Sequence, residues 1–435
     1  MNTNLWKTVA SGQATVVVVC AAIVSFTAVA LNGPGAPLSG DAPEYLSIAQ
    51  SLAQGHGYMA PLSPWPTQPA LGRAPIWPIV NAAVLRVLPA AEPHALLRYT
   101  TAVVNTFVCL SIFILTFQIT NERNLSMISG IAASLYPVSL FLTVSGACEV
   151  LALLLMVSAF IAVITRGVGL YIGSLLFGIL VLVRTNFVIF PACAVFALFF
   201  FKRDLTKVRL RRVIAGMLLF AAPSLVWCVR NYRISGRFPL LSTIEGETLY
   251  GSNNAVVASN TIEWGYWIMP DQIPSERRLR DLARTMSEIQ VNDYYHGQAV
   301  SFLRSNWADI PKLILGKLIR GFVPIPFRPR LASYLVFGCR AILYAALLWS
   351  LASSWHLIDP IYRWLCSSAL LVTLATTIIY YGNYRFTYLV ELLALPFIAL
   401  AAKTSRPLLV QNKWQGGSAA AVSDNNDLRF FTSHT

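Results

Sequence analysis

The sequence predicts an all-α polytopic membrane protein, and three observations carry that prediction. Of its 435 residues, 56% are hydrophobic and 12% charged, and the mean hydropathy is +0.60, which excludes an ordinary soluble domain. Apolar runs of membrane-crossing length recur between polar breaks. Basic residues collect in short connections: Lys202, Arg203, Lys207, Arg209, Arg211 and Arg212 sit together between two apolar runs. There they read as positive-inside signals facing anionic lipid, so the net charge of +14 argues topology and not nucleic acid.

About ten spans follow in order. The first, Ala10 to Leu31, leaves Lys7 in the cytoplasm; Ala28-Val29-Ala30 resembles a cleavage site, but the run is long enough to serve as an uncleaved anchor. A first outer loop, residues 32–95, is broken by Pro61, Pro64, Pro66, Pro69, Pro75 and Pro78, and its apolar segment Ile76 to Leu88 suits a helix at the interface. Spans two to seven are read as Leu96–Ile119, Leu125–Val144, Glu149–Thr165, Val168–Val183, Phe187–Phe201 and Val213–Val229. A large outer loop, residues 230–330, separates span seven from spans eight to ten, Leu331–Leu351, Trp364–Tyr380 and Phe386–Ala402. An even count puts both termini in the cytoplasm, and Lys403, Arg406 and Lys413 follow the last span as that topology expects. Residues 1–402 thus form a single membrane-embedded domain, and 403–435 read as a disordered tail.

Cys20, Cys109, Cys148, Cys193, Cys228, Cys339 and Cys366 are scattered through apolar segments without CxxC spacing, and the five histidines are equally dispersed. Neither a disulfide framework nor a metal site is read. No cofactor is expected, and no phosphate-binding glycine loop is present.

The most informative stretch is Ser39 to Tyr58, just past the first span. Asp41 and Glu44 open a short helical pattern in which Leu46, Ala49, Leu52 and Ala53 share one face, and Gly55 and Gly57 close it. Asp-x-x-Glu is a helix-capping pattern: Asp41 accepts first-turn N–H groups and Glu44 reaches back to the backbone. The chemical alternative needs other residues built around Asp41. Three further stretches fall on the same outer face: Gly72 to Pro78, the loop after Arg230, and Tyr381 to Phe386. Carboxylates, arginines and aromatics would then share a cavity at the membrane edge, suited to a substrate with a phosphate head and a hydrocarbon tail. Arg340 and Glu391, inside spans eight and ten, are expected to pair with each other without chemistry.

At these residues the chain resembles, over nearly its whole length, the bacterial GT-C membrane glycosyltransferases that take sugar from a polyprenyl-phosphate carrier. That group contains the aminoarabinose transferase of lipid A and the protein O-mannosyltransferases. The resemblance rests on Asp41-Ala-Pro-Glu44-Tyr45-Leu with Gly55-His-Gly57-Tyr58, and on Arg73-Ala-Pro75-Ile-Trp-Pro78. Arg230-Asn231-Tyr232, Leu249-Tyr250-Gly251-Ser-Asn253-Asn254, the stretch from Ala299 to Lys317, and Tyr384-Arg385-Phe386 extend it. It departs from many relatives in that Ala42 and Pro43 separate the two acids.

The resemblance implies an inverting transfer on the extracytoplasmic face of a bacterial inner membrane. Asp41 is implied as general base, with Glu44 as the second acid. Arg73, then Arg385, then Lys317 are implied at the donor phosphate, and Tyr45, Tyr58, Arg230, Asn231, Tyr250 and Asn253 around the substrate. The partners would be a polyprenyl-phosphate sugar, the bilayer, and a lipid, polysaccharide or protein acceptor. A transporter or flippase of lipid-linked glycans is the rival from another class; it needs a basic aromatic cavity but no carboxylate at the mouth of the first loop. A glycan polymerase or ligase would share the carrier and join whole oligosaccharides.

Overall fold

The computed structural model describes residues 11–198, 210–238, 241–259, 262–274, 276–324 and 331–415. Among these residues the protein is all-helical, and strand pairing is limited to one bridge, Met59 with Pro69. Helix α1 (Gly12–Asn32) starts where the Ser11 hydroxyl accepts the Ala14 N–H, and stops at Gly33, whose φ of +83° is open to glycine. The proline-broken loop after it then forms α2 (Ala42–Ala53) and α3 (Ile76–Val87), the latter a helix at the short apolar segment read from the sequence. Helix α4 (Pro93–Thr120) is capped by Glu92, which accepts the N–H groups of His94 and Ala95 at 3.0 and 2.6 Å.

Helices α5 (Arg123–Ser134) and α6 (Pro137–Val144) meet at a 48° bend. Pro137 causes it, since proline has no N–H to give and its ring crowds the preceding turn. Then come α7 (Glu149–Thr165), α8 (Gly169–Val181), α9 (Phe190–Leu198) and α10 (Leu210–Ser235). The outer region holds α11 (Glu245–Ser252), α12 (Glu288–Ser305) and α13 (Ile310–Phe322). The bundle closes with α14 (Leu331–Ser354), α15 (Pro360–Ile379), α16 (Tyr384–Glu391) and α17 (Ala394–Gln415).

Six of these helices are long and apolar enough to cross a membrane, seven if the bent α5–α6 pair counts as one span. The expected count of ten is not reached on that basis. Spans four, five and six correspond to α7, α8 and α9, of 17, 13 and 9 described residues. A helix rises about 1.5 Å per residue against a hydrocarbon layer of about 30 Å, so α8 falls short of spanning alone and α7 is at the lower limit. The polar break at Arg184-Thr-Asn186, where a short 3₁₀ turn replaces α-helix, is what divides the second and third of them. Residues 202–209 of the basic connection and 416–435 of the tail lie outside the described residues, and α17 continues past residue 402 to Gln415.

Two main apolar cores result, beside a small third cluster of Ile48, Ala60 and Ala70. The larger joins α1, α4, α7 and α15 through residues such as Val17, Ile112, Phe160 and Leu365, and the smaller lies in the outer region around Leu249, Tyr250, Val291, Tyr295 and Leu313. Helices α8 and α10 cross so closely that a Cβ at Gly178 would stand 2.4 Å from the Phe220 carbonyl, which only glycine avoids. The apolar windows of α10 and α14 are 11% buried, leaving broad apolar surface for lipid.

Candidate active site

Asp41 precedes α2 in the N-cap position, yet its side chain makes no capping bond. Pro43 occupies the second helical position and supplies no N–H there, so a cap has less to hold. The carboxylate turns outward to two arginines instead. Arg73 Nη1 lies 3.2 Å from Asp41 Oδ1, and Arg385 Nη2 donates to Asp41 Oδ2 at 2.6 Å. Glu44, one turn into α2, takes Arg73 through Nε at 2.8 Å and Nη2 at 2.7 Å. Arg385 reaches on to Glu149 Oε1 at 2.5 Å through Nε, and Glu149 also pairs with Arg184.

A continuous alternation of charge therefore runs Glu44–Arg73–Asp41–Arg385–Glu149–Arg184. It is built from the first outer loop, the start of α7, the turn after α8 and the start of α16. These ends are the ones the span order places on one face. Glu149 is 1% exposed, whereas the Asp41, Arg385 and Glu44 side chains are 30%, 25% and 29% exposed, so the array is closed at its Glu149 end and open from Arg385 to Glu44. Burial would raise the Asp41 pKa, but Arg73 and then Arg385 outweigh that and hold its carboxyl well below the usual range. Arg73 stands 5.5 Å from the Tyr45 ring centre and Arg184 5.0 Å from that of Phe386, so aromatic faces line both cations.

The remaining residues expected here divide into three groups. Tyr58 donates to the Arg73 and Ala74 carbonyls at 2.9 and 3.2 Å, and Arg230 stacks on Tyr58 and Trp227 while donating to the Ala70 carbonyl at 2.7 Å and to Asn231 at 2.9 Å. Together Tyr58, Arg230 and the fully buried Asn231 brace the Arg73 segment from behind. Tyr250 stacks on Tyr295 in the outer core. Lys317 and Asn253 form a separate buried pair: Lys317 Nζ donates to Asn253 Oδ1 at 2.7 Å and to the carbonyls of Ile378 and Ile379 at 3.1 and 3.2 Å. Those carbonyls end α15, where the helix dipole favours a cation. All three ammonium donors are used, at 1% exposure of the residue, so Lys317 is a helix-end tie and not part of the charged array.

Glu149 and Arg184 carried a signal that the sequence reading left unused. Each is a charge at the end of an apolar run, on the face where Asp41 lies. Among the described residues no group of three or more histidines, cysteines, aspartates and glutamates is arranged to hold a metal.

No protein-family model matches the sequence, and no curated protein does. Among solved structures the chain is similar to ArnT from Cupriavidus metallidurans in two crystal structures. The apo form gives a TM-score of 0.45 at 11% identity, covering 93% of this chain and 80% of that one. The form bound to undecaprenyl phosphate gives 0.46 at 12% identity, covering 92% and 80%.

Proposed function

We propose that the protein is a membrane glycosyltransferase that moves a sugar from a polyprenyl-phosphate donor to an acceptor hydroxyl at the extracytoplasmic face of a bacterial inner membrane. One observation carries this reading: the array at the ends of the helices includes arginine donors that no group among the described residues uses. Arg385 spends Nε and Nη2 on Glu149 and Asp41, and its Nη1 has no hydrogen bond among the described residues. Arg184 spends Nη1 on Glu149. A phosphate oxygen entering beside Arg385 would gain charge-assisted hydrogen bonds without first breaking a carboxylate pair. Arg73, with all three of its nitrogens turned to Asp41 and Glu44, ranks behind Arg385 as a phosphate ligand, which reverses the order the sequence suggested.

In the transfer, the acceptor oxygen attacks the anomeric carbon as the bond to the phosphate oxygen breaks. The departing polyprenyl phosphate gains negative charge, and fixed guanidiniums already in place stabilise it without reorganisation. Asp41 and Glu149 hold those guanidiniums in register. A second reading keeps Asp41 as the general base. It is favoured by the sharing of Arg385 between Asp41 and the donor site: phosphate drawing Arg385 away would raise the basicity of Asp41.

The test is transfer by purified full-length protein in liposomes, given radiolabelled polyprenyl-phosphate pentoses and hexoses with a cell-envelope extract as acceptor source. Label moving from the carrier into the extract is the expected result. Equilibration of intact donor between leaflets, with no bond cleaved, would replace the transferase by a flippase. For the face, a cysteine at the exposed loop position His56, on a cysteine-free background, should react with an impermeant thiol reagent in whole cells. Protection until the cells are lysed would invert the topology.

A further inference from the structure

Helix α16 is the short element that brings Arg385 to Asp41, and three of its residues stand in one row. Arg385, Tyr388 and Glu391 follow at spacings of three, which makes each the neighbour of the next on the helix surface. Arg385 is partly exposed, whereas Tyr388 and Glu391 are 0% and 3% exposed. The row therefore begins in the charged array and ends inside the bundle, about 9 Å further along the helix axis.

Both inner members are bonded at the bend between α5 and α6. Tyr136, just before Pro137, donates its hydroxyl to Glu391 Oε2 at 2.6 Å. Ser139, one turn on, meets the Tyr388 hydroxyl at 3.0 Å. The Ser139 proton is directed to Asn105 Oδ1 at 2.7 Å, so Tyr388 is the donor of that contact. Asn105 in turn donates to the Ser25 hydroxyl at 3.0 Å. Helices α16, α6, α4 and α1 are thus threaded by one buried chain of polar groups, and α1 is the helix whose end leads on to Asp41. Asp41 and Arg385 are tied twice, once directly in the array and once through the interior.

The rest of α16 is held as firmly. Glu391 Oε1 takes Arg340 Nε at 2.9 Å, and Arg340 Nη2 donates to the Gly321 carbonyl on α13 at 2.6 Å and to Thr387 at 3.1 Å. At the opposite end Asn383 Oδ1 accepts the Arg385 N–H at 3.0 Å. Just before it, the Gly382 N–H donates to the Gly265 carbonyl at 2.9 Å, and a Cβ at Gly382 would collide with the Lys317 carbonyl. Arg385 has to trade carboxylate contacts for a phosphate while its own backbone stays in place. Displacing such a group by about 1 Å can cost roughly two powers of ten.

We propose that Tyr388 and Glu391 are positioning residues for Arg385: from inside the bundle they fix the height and rotation of α16, and so the direction in which the guanidinium meets a lipid-linked phosphate. The assignment rests on the transferase reading above and adds to its donor side the residues that aim the cation.

The test is a mutant cycle on equilibrium binding of a polyprenyl phosphate to purified full-length protein in liposomes, which needs no turnover. Tyr388→Phe removes only a hydroxyl, and Glu391→Leu with Arg340→Met exchanges the inner pair for apolar side chains. Each should weaken binding by roughly three- to thirtyfold while the protein stays folded. In an Arg385→Ala background neither should weaken it by more than about twofold, because the group they aim is gone. Equal losses with and without Arg385 would mean a general loosening of the bundle and overturn the assignment. Parent affinity in either variant strikes that residue, and in both the whole proposal. Should the paired change fail to fold, Tyr136→Phe, which strips one bond from Glu391, takes its place in the cycle. A parent that binds no polyprenyl phosphate overturns the donor site and the role of Arg385 with it. A parent that binds it but transfers no label overturns the transferase reading alone.

Discussion

Two arginine–carboxylate assemblies stand in this molecule, one at the ends of the helices and one within the bundle. In the inner one Arg340 meets Glu391 at 2.8 Å, with 0% and 1% of their side chains exposed. Glu391 also accepts the hydroxyls of Tyr136 and Tyr344 at 2.6 Å each and that of Thr387 at 2.8 Å, while Arg340 donates to the Gly321 carbonyl at 2.6 Å. Both oxygens of that carboxylate are bonded, while Arg340 Nη1 is buried without a partner among the described residues. The outer array shares its charges along a line, leaves guanidinium donors unused, and admits solvent at Asp41 and Arg385. The same ion-pair chemistry thus serves two ends. Where the pair is dry it ties α6, α13, α14 and α16 together; where it is partly exposed it can exchange a partner for a substrate.

The widest contrast should appear on removing one partner. Glu391→Ala strands Arg340 in the bundle and should cost about 3–5 kcal/mol of unfolding free energy, measured by denaturant titration in lipid bicelles. The paired change Arg340→Met with Glu391→Leu should recover most of that loss, since apolar replacements of a buried pair are often neutral. A double variant as unstable as the single one would give the inner pair a role beyond mutual neutralisation.

Next in size, Arg385→Ala should weaken binding of a polyprenyl phosphate by roughly one to two powers of ten, the worth of a charge-assisted phosphate contact of about 1.5–3 kcal/mol. Arg73→Ala should weaken it less, because Arg73 is committed to Asp41 and Glu44. Equilibrium binding to the two variants checks the order; equal losses would make the array one undivided phosphate site.

Lys317 sharpens the comparison as a buried cation with no carboxylate at all. Burial lowers it from 10.5 to about 7. The unfolded chain then holds more protons than the folded one between those values, so stability should rise with pH from about 7 to about 10.5, at up to about 1.4 kcal/mol per unit. Lys317→Met should flatten that slope in melts across the window. A parent slope that is already flat would show the ammonium to be fully stabilised by the carbonyls ending α15.

Much of this was legible in the sequence. Each expected span has a helix at its place, because apolar runs and their caps are local signals. Asp41 and Glu44 were picked out by their place just past the first apolar run, Arg73 and Arg385 through what the family resemblance implies, and Arg340 with Glu391 by isolation in apolar runs. Lys317 stands apart from the charged array, and a lysine on an amphipathic helix reads alike whether it meets a phosphate or the end of another helix. Glu149 and Arg184 lay between, visible as charges but not as partners.

The bond from Arg385 to Asp41 closes a loop of 344 positions. A ribosome adding about 5–20 residues per second makes the second partner roughly 17–70 s after the first. Throughout that interval Asp41 is already outside the first helix, and Glu149 follows it without the guanidinium that joins them. Every nascent or prematurely ended chain therefore carries a half-built array with surplus negative charge, poorly suited to a phosphate. Under the proposed function, competence therefore arrives only with Arg385, after most of the chain has been made.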